Sequence, residues 1–249
     1  LSEPSGIKNI DILKEDLNEY EKFHSLTKTK RISRYKSAKY WPKKTKTIFY
    51  KGYERMPETI LPSPKIPGHS LRQTLMQRQS KRSFSDKPLT LEEISSLLYF
   101  SAGIKDTLQN RYYPSAGKRY PLELYVLAKN TTIKKGLYHY YIKNNSLEEI
   151  LPLRKFNYDK YFIDTWVKNA NIVIFISGIF KRSSVKYGMK GYRFTLLEAG
   201  HLAQNIYLLS TLLGLNCCEI GGFIDDRLHE LIDIDGKEEA ILTTIAVGK

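Results

Sequence analysis

The stretch from Phe194 to Leu213, FTLLEAGHLAQNIYLLSTLL, decides the fold. Twenty residues carry apolar side chains on most of a helical circumference and end at Gly214, a helix-stopping position. A helix of this kind is buried on more than one side, as a core helix shared across a dimer interface or one at the centre of a large monomer would be. Glu198, His201, Gln204 and Asn205 interrupt it, so it is no membrane span, and no secretory apolar region opens the chain.

Working outward, β-branched, leucine and aromatic residues dominate four strand candidates: Leu122–Ala128, Leu137–Ile142, Ile172–Ser177 and Ile241–Val247. Helices are expected at Leu13–Leu26, Ser70–Gln79 and Leu91–Ala102. The last of these has Thr90 as cap, Glu93 at the capping-box position and Gly103 as terminator. Helices and strands mix without strict alternation or internal repeat, which predicts an α+β fold with a central, mainly antiparallel sheet flanked by helices. Five prolines between Trp41 and Gly68 (Pro42, Pro57, Pro62, Pro64, Pro67) suggest an extended arm. The expected division is therefore 1–68, an N-terminal helix and basic arm, and 69–249, the main domain.

The formal charge of +14 is concentrated between Lys28 and Arg82, where sixteen Lys or Arg face only Glu54 and Glu58. Nucleic acid, an acidic peptide or a phosphorylated cofactor can each use such a field, and so can plain solubility; nucleic acid is the least favoured. The two cysteines, Cys217 and Cys218, are adjacent and cannot readily bridge each other, which favours a reducing cytoplasm. The five histidines lack metal-ligand spacing, and no zinc or other metal site is expected. The sequence begins at Leu1 rather than Met, as a trimmed chain would. Phosphate-loop, dinucleotide, nucleophile-elbow and metalloprotease signatures do not occur.

Four motifs carry chemistry. In RQSKRSF, Arg78, Ser80 and Arg82 alternate, and an extended segment would turn all three toward one phosphate. In PSAGKRYPLELYV, the loop Pro114, Ser115, Ala116, Gly117 runs into a strand with small residues that let backbone approach a flat ligand. In KYGMKGYR, Lys186 and Tyr187 are neighbours. A helix or strand would point them apart, whereas a loop can bring both to one site, where an ammonium would favour a tyrosine proton acceptor. In EIGGFID, Ile220, Gly221 and Gly222 leave backbone amides open after the long helix. Each alone is matched by a bland reading: a basic turn, a tight turn, a surface lysine beside a packing tyrosine.

Taken in order with FHSLTK, GLYHY and the terminal AVGK, these segments resemble the nitroreductase superfamily and, within it, the SagB-type azoline dehydrogenases. The resemblance covers nearly the whole chain; KYGxKGYR and PSAGxxYPxE are its specific parts. It implies a homodimeric, FMN-binding α+β protein that oxidises thiazoline or oxazoline rings of a ribosomal peptide to thiazole or oxazole, in complex with a cyclodehydrogenase. Arg78, Ser80 and Arg82 would then contact phosphate and ribityl, Pro114–Gly117 would lie beside the isoalloxazine, Ile220–Gly222 near N5, and Lys249 at the phosphate. Lys186 and Tyr187 would carry catalysis. Lys118 and Arg119 depart from the smaller residues common after the PSAG loop, and this bears on substrate size. Two other readings stay open: a stand-alone NAD(P)H-dependent nitro or quinone reductase, and a flavin-free docking module.

Overall fold

In the computed structural model, residues 14–28, 37, 39, 41, 42, 50–68, 70–153 and 155–249 are described. Much of the basic stretch between Lys28 and Phe49 lies outside them, as does His69.

Seven strands form one sheet: β1 (Glu58–Ile60), β2 (Leu122–Ala128), β3 (Gly136–Tyr141), β4 (Ser146–Pro152), β5 (Ile172–Ile179), β6 (Asn216–Ile220) and β7 (Glu239–Gly248). The spatial order is β1-β4-β3-β2-β5-β7-β6, and every neighbouring pair is antiparallel. The helices are α1 (Lys14–Thr27), α2 (Leu71–Gln77), α3 (Leu91–Ala102), α4 (Phe180–Tyr187), α5 (Lys190–Leu212) and α6 (Asp225–Ile232). The fold is the α+β arrangement that the sequence predicts.

Strand pleating explains how one sheet serves two cores. On β2 and β5, Leu122, Leu124, Val126, Ile172, Ile174 and Ile176 face α3 and α5; Tyr125, Leu127, Val173 and Phe175 face the opposite side with Leu228 and Ile232 of α6. Both faces are buried, so these strands read as continuous apolar runs.

The capping box at α3 forms as its sequence specifies: the Thr90 side chain accepts from the Glu93 N–H, Glu93 reaches back to Thr90 N–H, and Gly103 closes the helix. Helix α5 begins four residues before Phe194. Its inward face, including Leu202, Ala203 and Ile206, is buried, while Leu196 and Leu197 are 39% and 54% exposed. Within one protomer, then, it is buried on one side and open on the other. Residues 58–60, expected in the arm, form the edge strand β1, paired with β4. No helix among the described residues is long and apolar enough to cross a membrane.

Candidate functional site

The loop Pro114–Gly117 sits where α4 and α5 meet the start of β2. Ser115 Oγ accepts the Tyr120 N–H at 2.8 Å, closing the loop on itself. The Ala116 N–H donates to Glu198 Oε1 at 2.9 Å, tying the loop to α5. Gly117 has φ +60°, Lys118 +55° and Tyr120 +43°. Left-handed backbone at the two non-glycine residues costs about 1–2 kcal/mol each, a concentration of strain that neighbouring structure must hold in place.

Lys186 and Tyr187 are not in a loop, as their adjacency suggests, but in the last turn of α4, which ends at Gly188 with φ +59°. Neighbours on a helix diverge by about 100°. Both side chains are nevertheless long enough to return to one point. A Cβ on Gly117 would lie 2.5 Å from Tyr187 Oη and 2.6 Å from Lys186 Nζ. The ammonium stands 5.1 Å from the centre of the Tyr187 ring, whose edge meets Phe194 at 5.0 Å between centroids. The glycine is required here both for its dihedral and for the space that these two groups fill.

Glu198 is the residue that motif reading missed. It is 3% exposed, and Oε2 has no hydrogen-bond partner. Burial pushes its carboxyl up to about 7, against the pull of the Ala116 N–H, Ser115 and Arg111. The available signal was a lone acid inside a long apolar helix, since carboxylates are seldom fully buried without a task.

Helix α4 is itself anchored by buried charge. Arg182 Nη1 lies 2.6 Å from Glu123 Oε1 and also donates to the Tyr120 carbonyl at 3.1 Å. His139 is fully buried between Glu123 Oε2 at 3.2 Å and Glu148 Oε2 at 2.7 Å. Burial alone would raise the Glu123 carboxyl, but Arg182 and then His139 hold it down to about 2. Burial works against a charged His139, and the two carboxylates outweigh it and raise its pKa. The network spans β2, β3, β4 and α4, and so fixes the helix that presents Lys186 and Tyr187.

The remaining predicted residues gather at the other end of α5. Ser80 Oγ and Tyr207 Oη are 3.2 Å apart in a hydrogen bond, and the Arg78 guanidinium lies 5.5 Å from the Tyr207 ring centre. Arg82 rests 5.7 Å over Trp166. Neither guanidinium has a carboxylate partner among the described residues. The Glu219 N–H donates to Tyr207 Oη at 2.7 Å, bringing β6 to the same place. Ile220 is buried at the end of β6; a Cβ on Gly221 would meet nothing within 4 Å, and the Gly222 carbonyl accepts the Ile163 N–H at 2.8 Å. Lys249 Nζ is engaged by Glu93 at 3.0 Å, and its carbonyl accepts the Ser85 N–H.

The site is thus in two parts. Glu198 and Tyr207 are nine residues apart on α5, about 13–14 Å of helix rise. Within this chain the RQSKRSF and PSAG motifs are not brought together.

The nitroreductase family model matches residues 75–249. The chain belongs to the nitroreductase family. Its relatives include the nitroreductase-like MJ1384 of Methanocaldococcus jannaschii, 33% identical over 190 residues, covering 75% of this chain and 94% of that protein. They also include the microcin B17-processing protein McbC of Escherichia coli, 27% identical over 64% of this chain, and the trifolitoxin-processing protein TfxB of Rhizobium leguminosarum bv. trifolii, 25% identical over 65%. The chain spans 62% of McbC and 48% of TfxB. Among solved structures, a nitroreductase-type protein of Anabaena variabilis superposes with a TM-score of 0.72 at 22% identity, covering 92% of this chain and 46% of that one. A chain of the Escherichia coli microcin synthetase McbBCD complex with truncated pro-MccB17 bound superposes with a TM-score of 0.59 at 21% identity, covering 95% and 93%. These superpositions bear on the fold alone.

The two ends of the site fit a flavin mononucleotide in kind. Two guanidinium groups without carboxylate partners flank a hydroxyl, as a phosphate requires, and the space above Gly221 is open to a ring.

Proposed function

We propose that this protein is an FMN-dependent dehydrogenase that oxidises thiazoline or oxazoline rings of a ribosomally made peptide. The observation that carries the reading is the convergence of Lys186 Nζ and Tyr187 Oη on Gly117, in a loop held by Glu198. Bound FMN would supply the two-electron acceptor for ring oxidation. Arg78, Ser80 and Arg82 would hold its phosphate end, and Ile220–Gly222, with Pro114–Gly117 of a second protomer, would hold its ring. Lys249 joins the phosphate contacts on release from Glu93.

The protein's own part in the reaction is proton handling and position. Tyr187 Oη, as the phenolate, takes the ring proton and becomes the phenol, and the Lys186 ammonium beside it is the counter-charge of the phenolate form. Phe194 and Gly117 fix the direction of the hydroxyl. A homodimer completes the site, because the two motif groups lie on opposite ends of α5 in one protomer. The exposed Leu196 and Leu197 of α5 and Leu71, Leu75 and Met76 of α2 offer the surface for it. McbC and TfxB, which process microcin B17 and trifolitoxin, support a peptide substrate, and the same reading includes a cyclodehydrogenase partner and a cytoplasmic location.

The test is Tyr187→Phe in flavin-loaded protein. Azoline oxidation should fall by about 100-fold or more, with flavin affinity unchanged; undiminished oxidation removes the catalytic role. The 94% coverage of MJ1384 favours a second reading, a reductase driven by reduced nicotinamide nucleotide. Its signature is rapid bleaching of the flavin by NADPH.

A further inference from the structure

Beside Gly117, on the side away from α5, lies a cavity of about 750 Å³. That volume is in the range of sites that take small ligands or a few peptide residues. Among the described residues its lining carries four cationic side chains, Arg111, Lys118, Arg119 and Lys143, and no carboxylate. Trp41, Tyr50 and Tyr120 supply aromatic wall, and Leu108, 72% exposed, forms an apolar lip.

Arg111 is the decisive member. It is 4% exposed, and among the described residues no carboxylate lies within ion-pair distance of it: Glu123, paired with Arg182, and Glu198, which accepts the Ala116 N–H, act on it only at longer range. Its guanidinium lies 4.7 Å from the Tyr120 ring centre and 5.9 Å from that of Tyr50, and Nη1 donates to Tyr113 Oη at 3.2 Å. Buried arginines are ordinarily paired, because leaving the charge without a counter-anion is costly. Here no carboxylate among the described residues touches the guanidinium, and it lines a cavity. Lys118 and Lys143 stand exposed at the mouth, where they attract an anion without fixing it.

We propose that this cavity binds an acidic segment of the peptide substrate, with a carboxylate seated on Arg111 and the chain laid over Tyr50, Tyr120 and Leu108. A carboxylate matches the planar fork of a guanidinium in a way that a neutral amide does not. Gly117 belongs both to this cavity and to the meeting point of Lys186 and Tyr187, so a peptide held here delivers its neighbouring ring to that pair. The inference rests on the peptide-substrate reading above and adds to it a sequence preference: acidic residues flanking the ring.

The test uses the flavin-loaded protein and two probes, acetyl-Gly-Glu-Glu-Gly-amide and its Gln-Gln counterpart, titrated calorimetrically without turnover. The acidic probe should bind at one site per protomer, at least about tenfold tighter than the neutral one, and Arg111→Met should abolish that preference. Equal affinity, no binding of either probe, or an unaffected Arg111→Met variant overturns the proposal. So does tighter competition by NADPH, which would mark a nucleotide site. Should Arg111→Met fail to fold, Lys118→Glu combined with Lys143→Glu decides: a reduced preference supports the site, and an unchanged one overturns it. Acidic-probe binding in a protein that leaves azolines untouched would retain the cavity's assignment and remove the reaction; azoline oxidation without acidic preference would do the reverse.

Discussion

Glu198→Gln isolates one ionisation in the floor of the site. The glutamine keeps an oxygen to accept the Ala116 N–H and removes only the titration. In the wild-type protein the folded-state carboxyl titrates near 7 against an ordinary 4.5. Between those values the native state binds more protons than the unfolded state, so stability falls as pH rises through that window. At 1.36 kcal/mol for each tenfold change in proton affinity, the full interval corresponds to about 3 kcal/mol above pH 7. Part of it is already lost at pH 5, where most unfolded chains are ionised, which leaves about 2–3 kcal/mol to appear between pH 5 and pH 8. The hydrogen bond weakened by the substitution lowers both ends alike and drops out of the difference. Other titrating groups, His139 among them, are common to both proteins and drop out too. Urea unfolding followed by circular dichroism at pH 5 and pH 8, with saturating flavin, should therefore show the variant gaining about 2–3 kcal/mol on the wild type across that range. Parallel pH profiles would refute the buried, proton-holding carboxylate.

Three further perturbations address the rest of the structure. Gly117→Ala places a Cβ at φ +60° against Tyr187 Oη and Lys186 Nζ; oxidation measured as kcat should drop by about 100-fold, with the circular dichroism spectrum of the folded protein retained. Arg182→Met leaves Glu123 buried with His139 in contact and Arg111 only at longer range, and denaturant unfolding should register a loss of about 3–5 kcal/mol. Arg82→Ala removes a guanidinium from the RQSKRSF end, and FMN affinity read by fluorescence quenching should weaken by about tenfold or more, with the melting temperature of flavin-free protein little changed.

What could be read from the sequence followed the range of the interactions involved. Helix α3 was legible to the residue because its start and stop are local: a Thr90–Glu93 box and Gly103. Strand β2 was equally legible, being buried on both faces and, Glu123 apart, apolar. The strands that escaped notice, β1, β4 and β6, contain acids whose partners lie elsewhere in the chain; Glu58 of β1 accepts from Ser146 Oγ. Glu148 is satisfied by His139, and Glu219 by Thr243 Oγ1 and, through its N–H, by Tyr207. Helix α4 was hidden by its polar composition, FKRSSVKY, and with it the surroundings of Lys186 and Tyr187. For the site itself, motif order identified the family and grouped the residues, but it could not separate them into two ends of α5. Nor could it reveal Glu198 or Arg111, whose importance lies in what each fails to contact. A missing partner is a property of three-dimensional surroundings and leaves no mark in local sequence.

The central claim is ring oxidation by a flavin-loaded protein, and mass spectrometry of a thiazoline-containing peptide tests it most directly. Incubated in air with the FMN-loaded wild-type protein, the peptide should lose two hydrogens per ring, and with Tyr187→Phe it should keep them over the same period. A peptide of unchanged mass, in the presence of a flavin that NADPH bleaches at once, would contradict the account and make the protein a reductase.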